Sequence, residues 1–290
     1  MIFNPFFMLK KIAWGWKDAS NTPIYAQGWL PASAETRPLK AVILLQHGLG
    51  EHSGRYAHVA EFFVANNIAV LANDRSGHGQ SGNKRGHIAK YEYTLAEIEQ
   101  LHNEASRRFP QIPVFLYGHS MGGGIVLNYL LRRKNSPLKG IIATAPLIRP
   151  AFQPSKFALF LGKIMRNIWG GFVQNNQLDA SKICRNPAVV KAYQADKWVH
   201  SRISAETAIG MLQWGEFLLE TKHNLALPLY ITHSRADALT SFAATQQFVA
   251  QSTGDIHAKW WDAPYHEIHN ETEEQQPLFA DILAWINAHL

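Results

Sequence analysis

Short aliphatic runs alternate with helix-period patterns along much of this chain. Val42–Gln46 reads as a buried strand, since it is apolar throughout and bounded by turn residues. Arg55–Asn66 follows with Tyr56, Val59 and Phe63 on one helical face, and the Asn66-Asn67 pair ends it. Ile68–Asn73 is the next strand. Thr94 with Glu97 three residues on predicts a capping box, opening a helix whose buried stripe is Leu95, Ile98, His102 and Ala105. Pro110 stops that helix. Strand Val114–Tyr117 then runs straight into a Gly-x-Ser-x-Gly turn and a helix through Leu131, and Gly140–Ala145 is another strand. Strand and helix alternating at this spacing predict an α/β fold: a mostly parallel central sheet with helices on both faces.

The alternation breaks between Pro146 and Leu227, where helices are expected without intervening strands. Phe157, Phe160, Leu161, Ile164, Met165 and Ile168 fall at 3.6 spacing. Ala208, Met211, Leu212, Gly215, Leu218 and Leu219 do the same behind a Ser204 cap. An insertion of this length is far beyond an ordinary loop. The expected division is therefore a core in two pieces, residues 1–146 and 228–290, with a helical cap, residues 147–227, inserted before the strand that resumes at Leu229–His233. A helix near Ser241–Gln251, a strand at Ile256–Asp262 and a last helix from Pro277 complete the pattern.

Composition narrows the class. Apolar residues make up 47% and charged residues 17% of 290, enough to fill a large core, which excludes a disordered or fibrous chain. One cysteine, Cys184, excludes a disulfide framework and any multi-cysteine zinc module. The net charge of +6 is graded: +8 over residues 1–150 (17 Lys+Arg against 9 Asp+Glu), +4 over 151–227 (9 against 5) and −6 over 228–290 (2 against 8). No basic run interleaved with aromatics accompanies it, so no nucleic-acid partner is expected. Nothing approaches the ~18 uninterrupted apolar residues of a membrane span. Met1–Leu9 is apolar and precedes Lys10 and Lys11, the reverse of a secretory signal. It is expected to pack as a strand or tail, with a weak membrane-surface anchor through Phe3, Phe6 and Phe7 as the alternative. The cytoplasm is the default location on this reading, with peripheral membrane contact through the N-terminus or the cap as its variant.

The strongest chemical signal is Gly118-x-Ser120-x-Gly122 between a strand and a helix. A serine on so sharp a turn has strained backbone angles, and flanking side chains would collide with neighbouring backbone. The turn lifts the hydroxyl clear of the sheet and puts the Met121 N–H at a helix N-terminus, where it can stabilise a developing oxyanion. A serine needs a base, and the base an orienting carboxylate. On such a sheet the chain order is Ser, acid, His, each on a loop after a strand. Asp237 and His266 fall on those loops; His269 is the competing base and Asp262 a weaker competing acid. The second oxyanion donor is expected from His47-Gly48-Leu49-Gly50, through the Leu49 N–H.

Two motifs are set aside. Gly77-His78-Gly79-Gln80-Ser81-Gly82 fits G-x-G-x-x-G, but Asp74-Arg75 separates it from the strand and no helix follows, so no dinucleotide cofactor is expected. His266-Glu267-Ile268-His269 is one residue short of a zinc-protease motif, and no metal is expected.

The runs Gln46-His47-Gly48-Leu49-Gly50-Glu51-His52-Ser53-Gly54-Arg55-Tyr56, Asp74-Arg75-Ser76-Gly77-His78-Gly79-Gln80-Ser81 and Gly118-His119-Ser120-Met121-Gly122-Gly123 strongly resemble the monoacylglycerol lipase and lysophospholipase group of α/β-hydrolases. Ala236-Asp237 and Ala263-Pro264-Tyr265-His266-Glu267 extend the resemblance, which covers residue 17 onward. It implies an α/β-hydrolase fold, a nucleophile at Ser120, an acid at Asp237, a base at His266 and oxyanion amides at Leu49 and Met121. It also implies a lipid-like acyl ester as substrate. The sequence departs from the family's pattern at Leu49, often alanine, where a larger side chain narrows the acyl space. It departs at Ser76 too, and through most of the cap. A broad esterase, or an S33-type aminopeptidase on the same triad, is the alternative enzyme; a ligand-binding hydrolase-fold protein is the non-enzymatic one. Dehalogenases and epoxide hydrolases on this scaffold carry aspartate at the turn, and Ser120 excludes them. The two cap helices predict an apolar underside over Ser120.

Overall fold

The protein is described as a computed structural model that covers residues 9–32, 38–152, 155–220 and 222–290. The apolar stretch with Phe3, Phe6 and Phe7 lies outside the described residues. Five strands, β3 (Ala41–Gln46), β4 (Ile68–Asn73), β5 (Val114–His119), β6 (Gly140–Thr144) and β10 (Leu229–Ser234), are buried along their whole length. Such strands read as near-continuous apolar runs because both faces of a parallel sheet are covered. With β1 at Leu9–Lys17, β2 at Pro23–Pro31 and β12 at Ile256–Trp261, the eight-stranded order is β1-β2-β4-β3-β5-β6-β10-β12. From β4 to β12 every neighbour is parallel.

Alternate side chains feed two apolar layers. Val42 and Leu44 point to one, where Leu95, Ile98, Leu101 and Ala105 of α2 (Tyr93–Arg108), Ile125 of α3 (Met121–Arg132) and Phe248 of α7 (Phe242–Ala250) pack. Ile43 and Leu45 point to the other, against Val59 and Phe63 of α1 (Ala57–Ala65) and Phe279, Ile282 and Ile286 of α8 (Gln275–Ala288). Helices therefore cover both faces, as expected.

An antiparallel hairpin that the sequence reading did not include closes one edge. It consists of β1 (Leu9–Lys17) and β2 (Pro23–Pro31), with β2 also antiparallel to β4. Ile12, Trp14 and Trp16 of β1 face inward. The stretch expected as one helix from Arg55 is a single 3-10 turn, Ser53–Tyr56, followed by α1. The expected capping box is also corrected. α2 begins at Tyr93, the Thr94 hydroxyl donates to the Tyr91 carbonyl, and Glu97 turns into the core. There its carboxylate accepts from the Asn73 side chain and the Ser76 N–H. Leu101 is buried on α2, with His102 only partly covered.

The segment between β6 and β10 contains α4 (Lys156–Trp169), α5 (Pro187–Ala195) and α6 (Ala205–Phe217). It is not purely helical: β7 (Val173–Asn175) and β8 (Arg202–Ser204) form an antiparallel pair, and β9 (His223–Asn224) pairs in parallel with β11 (Ser252–Thr253), which follows α7. Ser204 caps α6 as expected, its hydroxyl accepting the Thr207 N–H at 3.1 Å. Backbone and side-chain bonds fasten this segment to residues of the preceding loops. His200 N–H donates to the Gly50 carbonyl (2.8 Å), Ser204 N–H to Gly86 (2.9 Å), and Ile88 N–H to the Thr207 hydroxyl (2.9 Å).

A candidate active site at the strand ends

Ser120 sits between β5 and α3 with φ 55° and ψ −119°, a region that costs a non-glycine residue roughly 1–3 kcal/mol. The flanking glycines make the turn sterically feasible. A Cβ on Gly118 would lie 2.3 Å from the Gly122 carbonyl oxygen, and one on Gly122 would lie 2.1 Å from that of Gln46. The Ser120 N–H is anchored on the Thr144 carbonyl at 3.0 Å, which ties the turn to the end of β6.

Asp237 and His266 come together beside it. Asp237 follows β10, and its Oδ2 lies 2.7 Å from His266 Nδ1. The same oxygen accepts from the Thr240 hydroxyl at 2.8 Å and lies 3.0 Å from His233 Nε2. Its Oδ1 accepts the Leu239 and Thr240 N–H groups at 2.7 and 3.0 Å. Burial favours the neutral acid, but His266 and His233 outweigh it and hold the Asp237 carboxyl well below its ordinary range. Burial likewise pushes His266 down, and the Asp237 carboxylate more than reverses this, so the imidazole titrates above its ordinary value. Ser120 and His266 line one small cavity of about 20 Å3, room for a single water.

The competitors are elsewhere. His269 is buried in a stack on Tyr56 (ring centroids 5.0 Å). Asp262 is almost fully exposed and paired with Arg235. The Gly77–Gly82 motif is a loop packed on the core: Gly77 and Gly79 have φ 75° and 49°, and Gln80 N–H donates to Asp74. Among the described residues no group of three or more His, Cys, Asp or Glu side chains is arranged to hold a metal ion.

The loop bearing Leu49 backs directly on Ser120: a Cβ on Gly48 would lie 3.2 Å from Ser120 Cβ. Two groups fix this loop. His47 bridges the Gly48 carbonyl through Nδ1 (2.7 Å) and the Arg75 N–H through Nε2 (3.0 Å). The neutral tautomer that this requires is favoured because burial, then Arg75, depresses the ring's pKa. Glu51 accepts the Gly48 N–H at 2.6 Å and the Tyr56 hydroxyl at 2.7 Å. Arg55 also pairs with Glu51 and forms a two-pronged contact with Glu267, at 2.7 and 2.8 Å. It thereby links the Leu49 loop to the residue after His266. Glu51, Arg55, His233 and Thr240 were absent from the sequence-level site. Glu51 and Arg55 lie inside the glycine-rich run and could have been flagged, but their partner Glu267 is distant in sequence.

The wall above Ser120 is not the expected underside of α4 and α6. It is formed by Leu178, Ile183 and Tyr193, while Phe157, Phe160, Leu161, Ile168 and Trp169 of α4 are exposed. α4 packs on α6 through Gly162 against Ile209 and the Arg166–Glu206 pair, and its apolar stripe faces outward.

Residues 37–273 match the family model described as serine aminopeptidase, S33. An uncharacterized abhydrolase domain-containing protein of Dictyostelium discoideum is 38% identical over 264 residues, covering 90% of this chain, and the chain spans only 27% of that longer protein. A monoacylglycerol lipase of Mycolicibacterium smegmatis is 33% identical over 90% of this chain and 92% of its own length. The crystal structure of the monoacylglycerol lipase of Paleococcus ferrophilus superposes with a TM-score of 0.80 at 27% identity, over 98% of this chain and 100% of that one. The chain belongs to the serine aminopeptidase S33 family and, within the α/β-hydrolase superfamily, to the monoacylglycerol lipase group of hydrolase enzymes.

Proposed function

We propose that this enzyme hydrolyses carboxylic esters of lipid-like acyl groups, with monoacylglycerols or lysophospholipids as the substrate class, through a Ser120–His266–Asp237 triad. The observation that carries the reading is that His266, 2.7 Å from Asp237, lines one cavity with a serine held at φ 55°. With Nδ1 committed to Asp237, His266 has Nε2 to take the Ser120 proton as the hydroxyl attacks the ester carbonyl. Asp237 fixes the tautomer and stabilises the imidazolium. The Leu49 and Met121 N–H groups receive the oxyanion. The proton returns to the leaving alcohol, and water then releases the acyl group from Ser120 by the same base. Residues 147–227 act as a cap, and Leu178, Ile183 and Tyr193 of that segment form part of the cavity wall against which the ester would sit. The names of the Mycolicibacterium and Paleococcus relatives support the monoacylglycerol choice.

Activity on 4-nitrophenyl esters of graded chain length tests the substrate class. Preference for acyl chains of about eight carbons or longer is expected. Preference for acetate contradicts it and favours a broad esterase, and cleavage of an aminoacyl amide favours the peptidase reading that the family description supports. The exposed stripe on α4 supports peripheral contact with the lipid phase in which such substrates reside.

A further inference from the structure

The loop that carries His266 is held at three backbone points, and two of them depend on the insertion. The Ser234 hydroxyl donates to the Pro264 carbonyl from the neighbouring strand. The Tyr265 N–H, just before His266, donates to Glu271 Oε1 at 2.7 Å. The Glu267 N–H, just after it, donates to the Ile183 carbonyl at 2.7 Å. Ile183 belongs to the insertion and also lines the Ser120 cavity. Two residues on, Arg185 grips Glu271 twice, by its own N–H to Oε1 (3.1 Å) and by Nε to Oε2 (3.0 Å), and its Nη2 reaches Glu274. Glu271 is 1% exposed, so Arg185 is the cation that compensates a carboxylate buried next to the base.

We infer that Arg185 and Glu271 are positioning residues: together they hold the His266 loop in working register and make that register depend on the insertion being seated on the core. This rests on the triad reading above, because it assigns the pair its effect through His266. Neither side chain touches the reacting atoms. Glu271 shares its Oε1 between the peptide N–H before the base and the Arg185 N–H. Loss of the Arg185 side chain leaves the carboxylate with its backbone donors and no charge partner. It is then free to turn toward solvent, and the Tyr265 N–H loses its acceptor.

The test is steady-state kinetics of Arg185→Ala, Arg185→Lys and Glu271→Gln in the full chain. Concentrations are normalised to folded protein, and thermal melting and the rate of fluorophosphonate reaction at Ser120 are followed alongside. Arg185→Ala is expected to lower kcat about tenfold, part of the roughly 100-fold that a 1 Å misplacement can cost. KM should stay within about twofold and phosphonylation should slow in parallel, with Arg185→Lys recovering part of both. Glu271→Gln keeps an acceptor for the Tyr265 N–H while losing the charge, so it should fall between wild type and Arg185→Ala. A lowered melting temperature with unchanged kcat and unchanged phosphonylation in Arg185→Ala makes the pair a structural brace and overturns the inference alone. A wild-type protein that takes no label at Ser120 overturns the triad reading and the inference with it.

Discussion

Asp237, the proposed orienting acid, accepts from more groups than that role requires. Two N–H donors and the Thr240 hydroxyl fix its carboxylate, and two imidazoles flank it. Asp237→Asn should lower kcat by about 10^3–10^4, measured as initial rates on a 4-nitrophenyl ester, because an amide holds His266 in the wrong tautomer. The pH dependence follows from sign. As the proposed base His266 works only when neutral, and Asp237, aided by Glu267 and Glu51, lifts its pKa above the ordinary 6.5 against burial. The kcat/KM profile should therefore fall on the acid side through a pKa above 6.5. In Asp237→Asn that limb should move to lower pH, since burial then dominates. His119, whose ring centroid is 4.7 Å from that of His266, is driven to about 3 by burial and then by His266, so it adds no limb near neutrality. The meeting of Asp237 with His266 near Ser120 was legible because each of the three follows a strand in the expected chain order. His233 and Thr240 were not, since only the folded loop brings them to Asp237. Thr94 and Glu97 show the opposite failure: the local capping pattern is present, but the buried Arg75 and the Ser76 N–H draw Glu97 inward. There burial lifts its carboxyl to about 7 against Arg75.

Among the elements, the strand–turn–helix at Ser120 is the most sterically determined. Gly122→Ala places a Cβ 2.1 Å from the Gln46 carbonyl oxygen and 2.7 Å from that of His47, both backbone atoms. We expect a loss of about 3 kcal/mol, on the order of 5–10 °C in Tm by calorimetry. α4 marks the limit of periodicity. The 3.6 spacing correctly groups Phe157, Phe160, Leu161, Ile164 and Ile168 on one face, but a period carries no information about which side meets protein. Here the outward side is the apolar one. A Phe157→Ser/Ile168→Ser variant should keep the wild-type Tm within about 2 °C, as surface changes do. Its co-sedimentation with phospholipid vesicles should fall severalfold; an unchanged bound fraction would remove α4 from the membrane contact. The β1–β2 hairpin lay beyond the reading for a different reason. Its inward residues Ile12, Trp14 and Trp16 alternate with Lys11, Ala13 and Gly15, a weak pattern beside the continuous runs of the central strands.

For the whole molecule, the graded charge reads differently once folded. The +4 of residues 151–227 lies on the segment that also exposes the α4 stripe, while the −6 falls on the piece carrying Asp237 and His266. Binding should therefore favour vesicles containing phosphatidylglycerol over pure phosphatidylcholine and weaken between about 0.05 and 0.5 M NaCl, as screened surface charge does. Equal binding to both, or no salt effect, leaves only the apolar contribution. The proposed catalytic roles of His266 and Asp237 require Ser120 to be the activated nucleophile. The most direct test is incubation with a fluorophosphonate probe followed by intact-mass and peptide mapping. One adduct on Ser120 in the wild-type protein, none in Ser120→Ala and a strongly slowed adduct in His266→Ala is the predicted result. A folded wild-type protein that takes no label, or a label that persists in Ser120→Ala, would contradict it.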